Sequence, residues 1–303
     1  MEFPELSNQE HLEKLEHPGK KVRMVLDTDT YNEVDDQFAL AYALKSQEAM
    51  DVEAIYAAPF HNDRSSGPED GMEKSYQEII NILNMLEILD DGLVYKGSRG
   101  YLEDRKTPRE SKAARNLIEK AKTATEEDPL YVVAIGAITN VASAILMEPE
   151  IIKKIVVVWL GGHAHYWPDT KEFNLFQDLP ASRLIFDCGV PLVQMPCMGV
   201  SSHLITTASE LEFYLKGKSK LGTYLTDIVS RATNDIKAGS RIIWDISTIA
   251  WLINPEWLPG NVVHSPIVTE DYTWSKDKSR HFIRCAAYAN RDKIFADLFS
   301  KLT

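Results

Sequence analysis

Four aspartates, Asp27, Asp29, Asp35 and Asp36, crowd the segment MVLDTDTYNEVDDQFAL at residues 24–40. They follow the apolar run Val22–Leu26, which reads as a buried parallel strand. They precede Gln37–Ser46, which has the periodicity of an amphipathic helix. Carboxylates gathered where a strand ends repel one another unless a cation neutralises them. The open end of a parallel α/β sheet is also where ligands bind. An oxygen-rich, sulfur-free donor set suits Ca²⁺ or Mg²⁺ better than zinc or copper. The same acids would equally serve as a solvated loop at a helix N-terminus, where negative charge is favoured in any case.

Three further segments carry residues of the right type. Ala134–Asn140, AIGAITN, closes a strand on a glycine and opens a helix. It offers carbonyls to a cation and N–H groups to a ligand, or is a plain turn capped by Thr139 or Asn140. Gly161-Gly162-His163-Ala164-His165-Tyr166-Trp167 leads into Glu172-Phe173-Asn174, where an acid and an amide could hydrogen-bond a polyol. Trp244-Asp245 opens an otherwise apolar helix. Asp245 is there either a cap or a buried acid that needs a partner. A cation shared with Asp29 and Asp36 would supply that partner.

The elements that must position these residues alternate in type. Strand-like runs Val22–Leu26, Val52–Ala57, Leu93–Tyr95, Leu130–Ile135, Ile155–Leu160 and Pro191–Met195 are separated by helical segments. The helical segments are Lys74–Ile88, Ser111–Thr123, Thr139–Met147 and Ala181–Cys188, and residues 209–253 read as mostly helical. This alternation predicts right-handed βαβ crossovers in a single α/β domain, a mostly parallel central sheet flanked by helices. A polar N-terminal extension, residues 1–20, precedes that domain at 21–303. The long loop His61–Gly71, rich in turn formers, is placed on the ligand-binding edge as a mobile lid.

Composition narrows the partners. The chain has 303 residues, 44% hydrophobic and 26% charged, enough for one large core. A net charge of −12 without a basic block argues against nucleic acid or anionic membrane as partner. Three unevenly spaced cysteines, Cys188, Cys197 and Cys285, read as reduced core thiols. No signal-like or membrane-spanning stretch is evident, so a soluble, cytoplasmic protein is expected.

Taken in order, the motifs resemble the inosine–uridine-preferring nucleoside hydrolase family over roughly residues 20–300. That family opens with Asp-x-Asp-Pro-Gly-x-Asp-Asp; here Asp27-Thr28-Asp29 and Asp35-Asp36 flank Thr30–Val34, with two residues inserted and Pro-Gly lost. The Glu-Phe-Asn motif is Glu172-Phe173-Asn174, and the late aspartate is Asp245. The resemblance implies a Rossmann-like nucleoside hydrolase fold. It implies Ca²⁺ held by Asp29, Asp36, Asp245 and the carbonyl of Ile135, with the ribose 2′ and 3′ hydroxyls and a water completing the shell. Asp29 would take the water's proton, Asp35, Glu172 and Asn174 would grip the sugar, and Asn62 matches another ribose-binding asparagine. The implied activity is hydrolysis of a ribonucleoside N-glycosidic bond with inversion, in a homo-oligomer, a dimer or tetramer. Clustered carboxylates suit that chemistry because they stabilise an oxocarbenium-like transition state.

The chain departs from the family at the base and 5′ pockets. Trp244 stands where many members carry a histidine acid, which resembles the purine-preferring branch with its aromatic stacking. A second ring is expected from Tyr101, Tyr166 or Trp167, and a replacement acid from His163 or His165. The third-strand His-Gly is replaced by residues 96–100, KGSRG, and the asparagine ahead of Glu-Phe-Asn is missing. Two rival readings are a catalytically silent nucleoside- or ribose-binding protein and a haloacid-dehalogenase-type phosphatase. The second is weakened by Tyr31 at its fifth motif position.

Overall fold

The computed structural model describes residues 2–234 and 238–303. Its core is an eight-stranded sheet built from β1 (Val22–Thr28), β2 (Met50–Ala57), β3 (Val94–Lys96), β4 (Leu130–Ala134), β5 (Ile155–Leu160), β6 (Leu192–Met195), β7 (Gly260–His264) and β8 (Phe282–Ala286). The strand order is β3-β2-β1-β4-β5-β6-β8-β7. Every pairing is parallel except that of β7 with β8, so the sheet ends in one antiparallel edge strand. The single-domain, mostly parallel α/β architecture expected from the alternation is what the chain adopts.

Side-chain alternation explains why this sheet is buried on both faces. Met24, Leu26, Tyr131, Val133, Val156 and Val158 point into one apolar layer, while Val25, Leu130, Val132, Ile155, Val157 and Trp159 point into the other. Helices cover both. They are α1 (Asn8–Leu15), α2 (Asp36–Leu44), α3 (Pro68–Met85), α4 (Lys112–Lys122), α5 (Thr139–Met147), α6 (Phe173–Gln177), α7 (Leu179–Asp187), α8 (Ala208–Tyr214), α9 (Lys220–Ala232), α10 (Ile246–Ile253) and α11 (Arg291–Leu302). The apolar α2 and α10 pack on each other beneath the first layer, while α4, α5 and α7 close the second.

Two local departures from the sequence reading stand out. The loop expected at His61–Gly71 ends earlier, because α3 starts at Pro68 with Glu69 and Asp70 in its first turn. Proline at that position loses no hydrogen bond, and the acids suit the helix dipole. The stretch 209–253 is not all helix: Ile205–Thr207 pairs antiparallel with Ser240–Ile242 immediately before Asp245. Residues 235–237 of that stretch lie outside the described residues. Residues 1–20 contain α1, whose Ser7–Glu10 capping box and fully buried Leu15 dock it near β8. Cys188 and Cys197 are buried free thiols. Among the described residues no helix is long and apolar enough to cross a membrane.

Candidate active site

The parallel register sets the C-terminal ends of β1, β4, β5 and β6 along one edge of the sheet. Ala58 N–H donates to Thr28 O and Ile135 N–H to Asp27 O, each at 2.8 Å, so the chain leaves β1, β2 and β4 at the same level. A cleft of about 230 Å³ opens there, with Asp29, Asn32, Glu33, Asp35 and Asp36 on the β1 side. Ile135 and Leu160 form its floor, and His163, Lys171, Glu172, Phe173, Asn174, Cys197 and Met198 its β5–β6 side. Trp244 and Asp245 close it from the start of α10.

Each carboxylate reaches the cleft for a local reason. Asp29 is the first residue past β1, and its carbonyl accepts Asn32 N–H at 2.7 Å, folding the inserted loop back on itself. Asp35 and Asp36 sit at the N-cap and first turn of α2, yet Asp35 makes no side-chain cap. Asp35 Oδ2 instead accepts the Trp244 N–H at 3.2 Å, and Asp36 Oδ1 accepts the Thr28 hydroxyl at 2.6 Å. Asp245 holds the N-cap position of α10 and likewise caps nothing. Ligand oxygens of Asp35, Asp36 and Asp245 lie within 4.8 Å of one another. Both oxygens of fully buried Asp29 receive no donor from the described residues.

The electrostatic cost of this arrangement is large. At the effective dielectric of a protein site, each pair of charges at such separations repels by roughly 3–4 kcal/mol. Three pairs would consume most of a domain's stability. Accordingly burial, then the neighbouring Asp36 and Asp35, hold the Asp29 carboxyl well above its usual range. Burial first, and the like charges around them second, do the same to Asp35 and Asp245. Asp36 is pushed up to about 7 chiefly by burial, its hydrogen bond from Thr28 opposing the shift. These are acids waiting for protons or for a cation. The all-oxygen donors, the two undonated oxygens of Asp29 and the nearby Ile135 carbonyl fit a hard divalent ion such as Ca²⁺.

The remaining expected residues divide. Ile135, Glu172, Asn174 and Trp244 line the cleft with the aspartates. Asn174 Nδ2 donates to the carbonyls of Ile135 at 3.2 Å and Leu160 at 3.0 Å, tying two strand ends together. Glu172 serves as N-cap of α6: Oε1 accepts Asn174 N–H at 2.9 Å, and Oε2 accepts Gly162 and Leu175 N–H at 2.8 and 3.1 Å. Asn62 stands back from the cleft. Its Nδ2 donates to Asn32 Oδ1 at 2.7 Å and its Oδ1 accepts Arg64 N–H at 2.9 Å, so it meets the site through Asn32.

None of Tyr101, Tyr166 and Trp167 lines the cleft; the ring that joins Trp244 there is Phe173. Tyr101 spends its hydroxyl on Gln177 Oε1 at 2.6 Å, and Tyr166 is 74% exposed. Of the two histidines only His163 lines the cleft, since His165 Nε2 is held by Gln194 Oε1 at 2.8 Å. Asn32, Lys171, Cys197 and Met198 line the cleft without having been singled out as site residues. A clue to Asn32 and Lys171 was their place inside or beside the motifs; Cys197 and Met198 follow β6 with no motif to mark them.

Comparison with known proteins agrees with this geometry. Residues 24–295 match the family model described as inosine-uridine preferring nucleoside hydrolase. Over 250 residues the chain is 30% identical to pyrimidine-specific ribonucleoside hydrolase RihA of Salmonella typhimurium, covering 73% of this chain and 77% of that protein. It is 28% identical over 234 residues to probable uridine nucleosidase 2 of Arabidopsis thaliana, 70% of each chain. Among solved structures, the plant nucleoside hydrolase PpNRh1 superposes with a TM-score of 0.73 at 21% identity, covering 94% of this chain and 99% of that one. A purine-preferring ribonucleoside hydrolase from Gardnerella vaginalis gives 0.73 at 20% identity, with 92% and 98% covered. These two superpositions speak to the fold alone.

Proposed function

From the premise that the chain belongs to the inosine-uridine preferring nucleoside hydrolase family, enzymes that cleave ribonucleoside N-glycosidic bonds, we propose that it acts with Ca²⁺ and favours a purine-like base. The observation that carries the metal reading is Asp29, fully buried with both oxygens undonated beside Asp36 and Asp245. Ca²⁺ held by Asp29, Asp36, Asp245 and the Ile135 carbonyl would supply an anchor for vicinal hydroxyls and acidify a bound water. Asp35, closest of the remaining acids, then faces the sugar and is fixed by the Trp244 N–H.

The protein's own groups do the rest. Asp29 accepts the proton of the attacking water, because positive charge beside it keeps this buried carboxylate ionised and so able to act as a base. The surrounding carboxylates stabilise the cationic ribosyl group as the C–N bond breaks, and the configuration at the anomeric carbon inverts. Asn174 orients the floor through its two carbonyl bonds. Trp244, half-buried on the cleft wall, offers a face for the base, which supports the purine preference; the relatives named for uridine and pyrimidines pull the other way. A dimer or tetramer completes the reading, tested by light scattering on the purified chain.

The deciding experiment is a reducing-sugar assay over purine and pyrimidine ribonucleosides with and without a calcium chelator. Ribose release that stops on chelation and returns with Ca²⁺ is the expected result. Release unaffected by chelation removes the metal, and higher kcat/KM on uridine than on inosine removes the purine preference. Trp244→Leu should lower kcat/KM on purine ribosides by about tenfold or more, the worth of one base stack.

A further inference from the structure

Resting on the hydrolase reading above, we propose that the β5–β6 end of the cleft selects ribosides whose C5′ carries a neutral apolar group, a 5′-deoxy or 5′-alkylthio riboside, over those with a 5′-hydroxyl or 5′-phosphate. Sheet order fixes the two ends. Asp29, Asp35 and Trp244 gather over β1, whereas Leu160, His163, Cys197 and Met198 follow β5 and β6 at the other side of β4. With the sugar's vicinal hydroxyls on the carboxylates and the base toward Trp244, the C5′ arm is directed to the β5–β6 end.

That end is short of acceptors for a hydroxyl. Glu172 is its carboxylate, and both oxygens are already taken by the backbone N–H groups of Gly162, Asn174 and Leu175. The buried Cys197 thiol is directed at the same carboxylate. His163 Nδ1 accepts Met198 N–H at 3.3 Å. What else lines that end is mostly apolar or soft, Leu160, Phe173, the Cys197 sulfur and Met198, with His163 Nε2, Asn174 Oδ1 and the Lys171 ammonium as its polar groups. A thioether or methyl group packs well against such a wall, whereas a hydroxyl would be desolvated with little return.

A 5′-phosphate is disfavoured by charge. Among the described residues six carboxylates line the cleft, against which Lys171 is the single lysine or arginine. Its ammonium rests 5.7 and 5.8 Å from the Phe176 and Tyr272 ring centroids. A dianion would approach more negative than positive charge even with a divalent ion in place.

The test uses three ribosides sharing a p-nitrophenyl leaving group, so that base preference plays no part: the 5-hydroxy parent, the 5-deoxy compound and the 5-deoxy-5-methylthio compound. With the Ca²⁺-loaded full chain, kcat/KM for the deoxy or methylthio compound should exceed that of the parent by about tenfold or more, the scale of one well-placed methylene-sized group. Cleavage of all three with the parent equal or preferred overturns the inference and leaves the hydrolase reading standing. No cleavage of any of them, together with none of the nucleoside panel, overturns both. Met198→Asn should move the methylthio-to-hydroxy ratio toward the hydroxy compound. The ratio is internal to each sample, so partial loss of folded protein does not affect it, and an unmoved ratio counts against the proposal.

Discussion

Asp29 is the residue on which most consequences converge. It combines full burial, two undonated oxygens and three acidic neighbours, so its removal should separate activity from stability. Asp29→Asn is expected to lower kcat for ribose release by about 10²–10⁴-fold, the range of a lost general base. In the presence of chelator the same substitution should raise stability by about 1–3 kcal/mol, since it removes one member of a coupled set of like charges. Urea titration in EDTA checks the sign; a destabilised variant would mean the cluster is held by hydrogen bonds that the geometry does not show. The pH response follows from the same cause. A carboxyl raised from its ordinary value near 4 to about 7, as at Asp36, binds more protons folded than unfolded within that window. Stability of the chelated protein therefore falls as pH rises from about 4 to 7 and levels off above it. Thermal melts in chelator should drop between pH 5 and pH 7.5, and added Ca²⁺ should raise the melt more at pH 7.5 than at pH 5.

At the scale of elements, the strand ends are held in step by a small number of polar side chains. Fully buried Asp27 accepts Asn140 Nδ2 at 2.8 Å, and Asn140 Oδ1 accepts Ser98 N–H at 2.8 Å, linking β1, α5 and the turn after β3. Gly97 lies in that turn, where an added Cβ would fall on the Ala57 carbonyl and the Asn140 amide. Gly97→Ala should cost about 1–3 kcal/mol in denaturant unfolding, as overpacking at a rigid site does, and should lower activity by displacing β1's end. Much of this layer was legible in the sequence. The β1 acids, the 134–140 turn and Glu172–Asn174 stand out because strand and helix periods change at those positions. Asn62 was legible only as a motif match, and its turn back onto Asn32 depends on where α3 begins. Phe173 was legible as the centre of the Glu172–Asn174 motif but not as the second cleft aromatic, because the Glu172 cap at the start of α6, a short helix with little periodicity to read, sets its direction.

For the whole molecule, the docking of α1 adds an acid limit. His11 and His281 stack at 5.3 Å between ring centroids, and His11 Nδ1 and His281 Nε2 are buried without partners among the described residues. Burial lowers both, His281 to about 4 with help from His11 and Arg280, so each is neutral when folded. The contribution of His281 is complete above about 6.5 and is lost as pH falls toward 4, the opposite sign to the aspartates, and His11 acts in the same direction. Circular dichroism of His281→Phe against the parent at pH 4.5 should show the variant retaining more structure.

The antiparallel pairing of Ile205–Thr207 with Ser240–Ile242 delivers Asp245 to acids that lie some two hundred positions earlier in the chain. An ion shared by Asp36 and Asp245 is thus a clasp between the first and last thirds of the polypeptide, closing a loop longer than most disulfides span. Opened by chelation, that clasp should expose the segments around 205–234 and 238–245 to proteases before the sheet itself yields. Calcium would then set the protein's lifetime as well as its catalysis, and limited proteolysis with and without chelator would reveal it as a change in the first cleavage site.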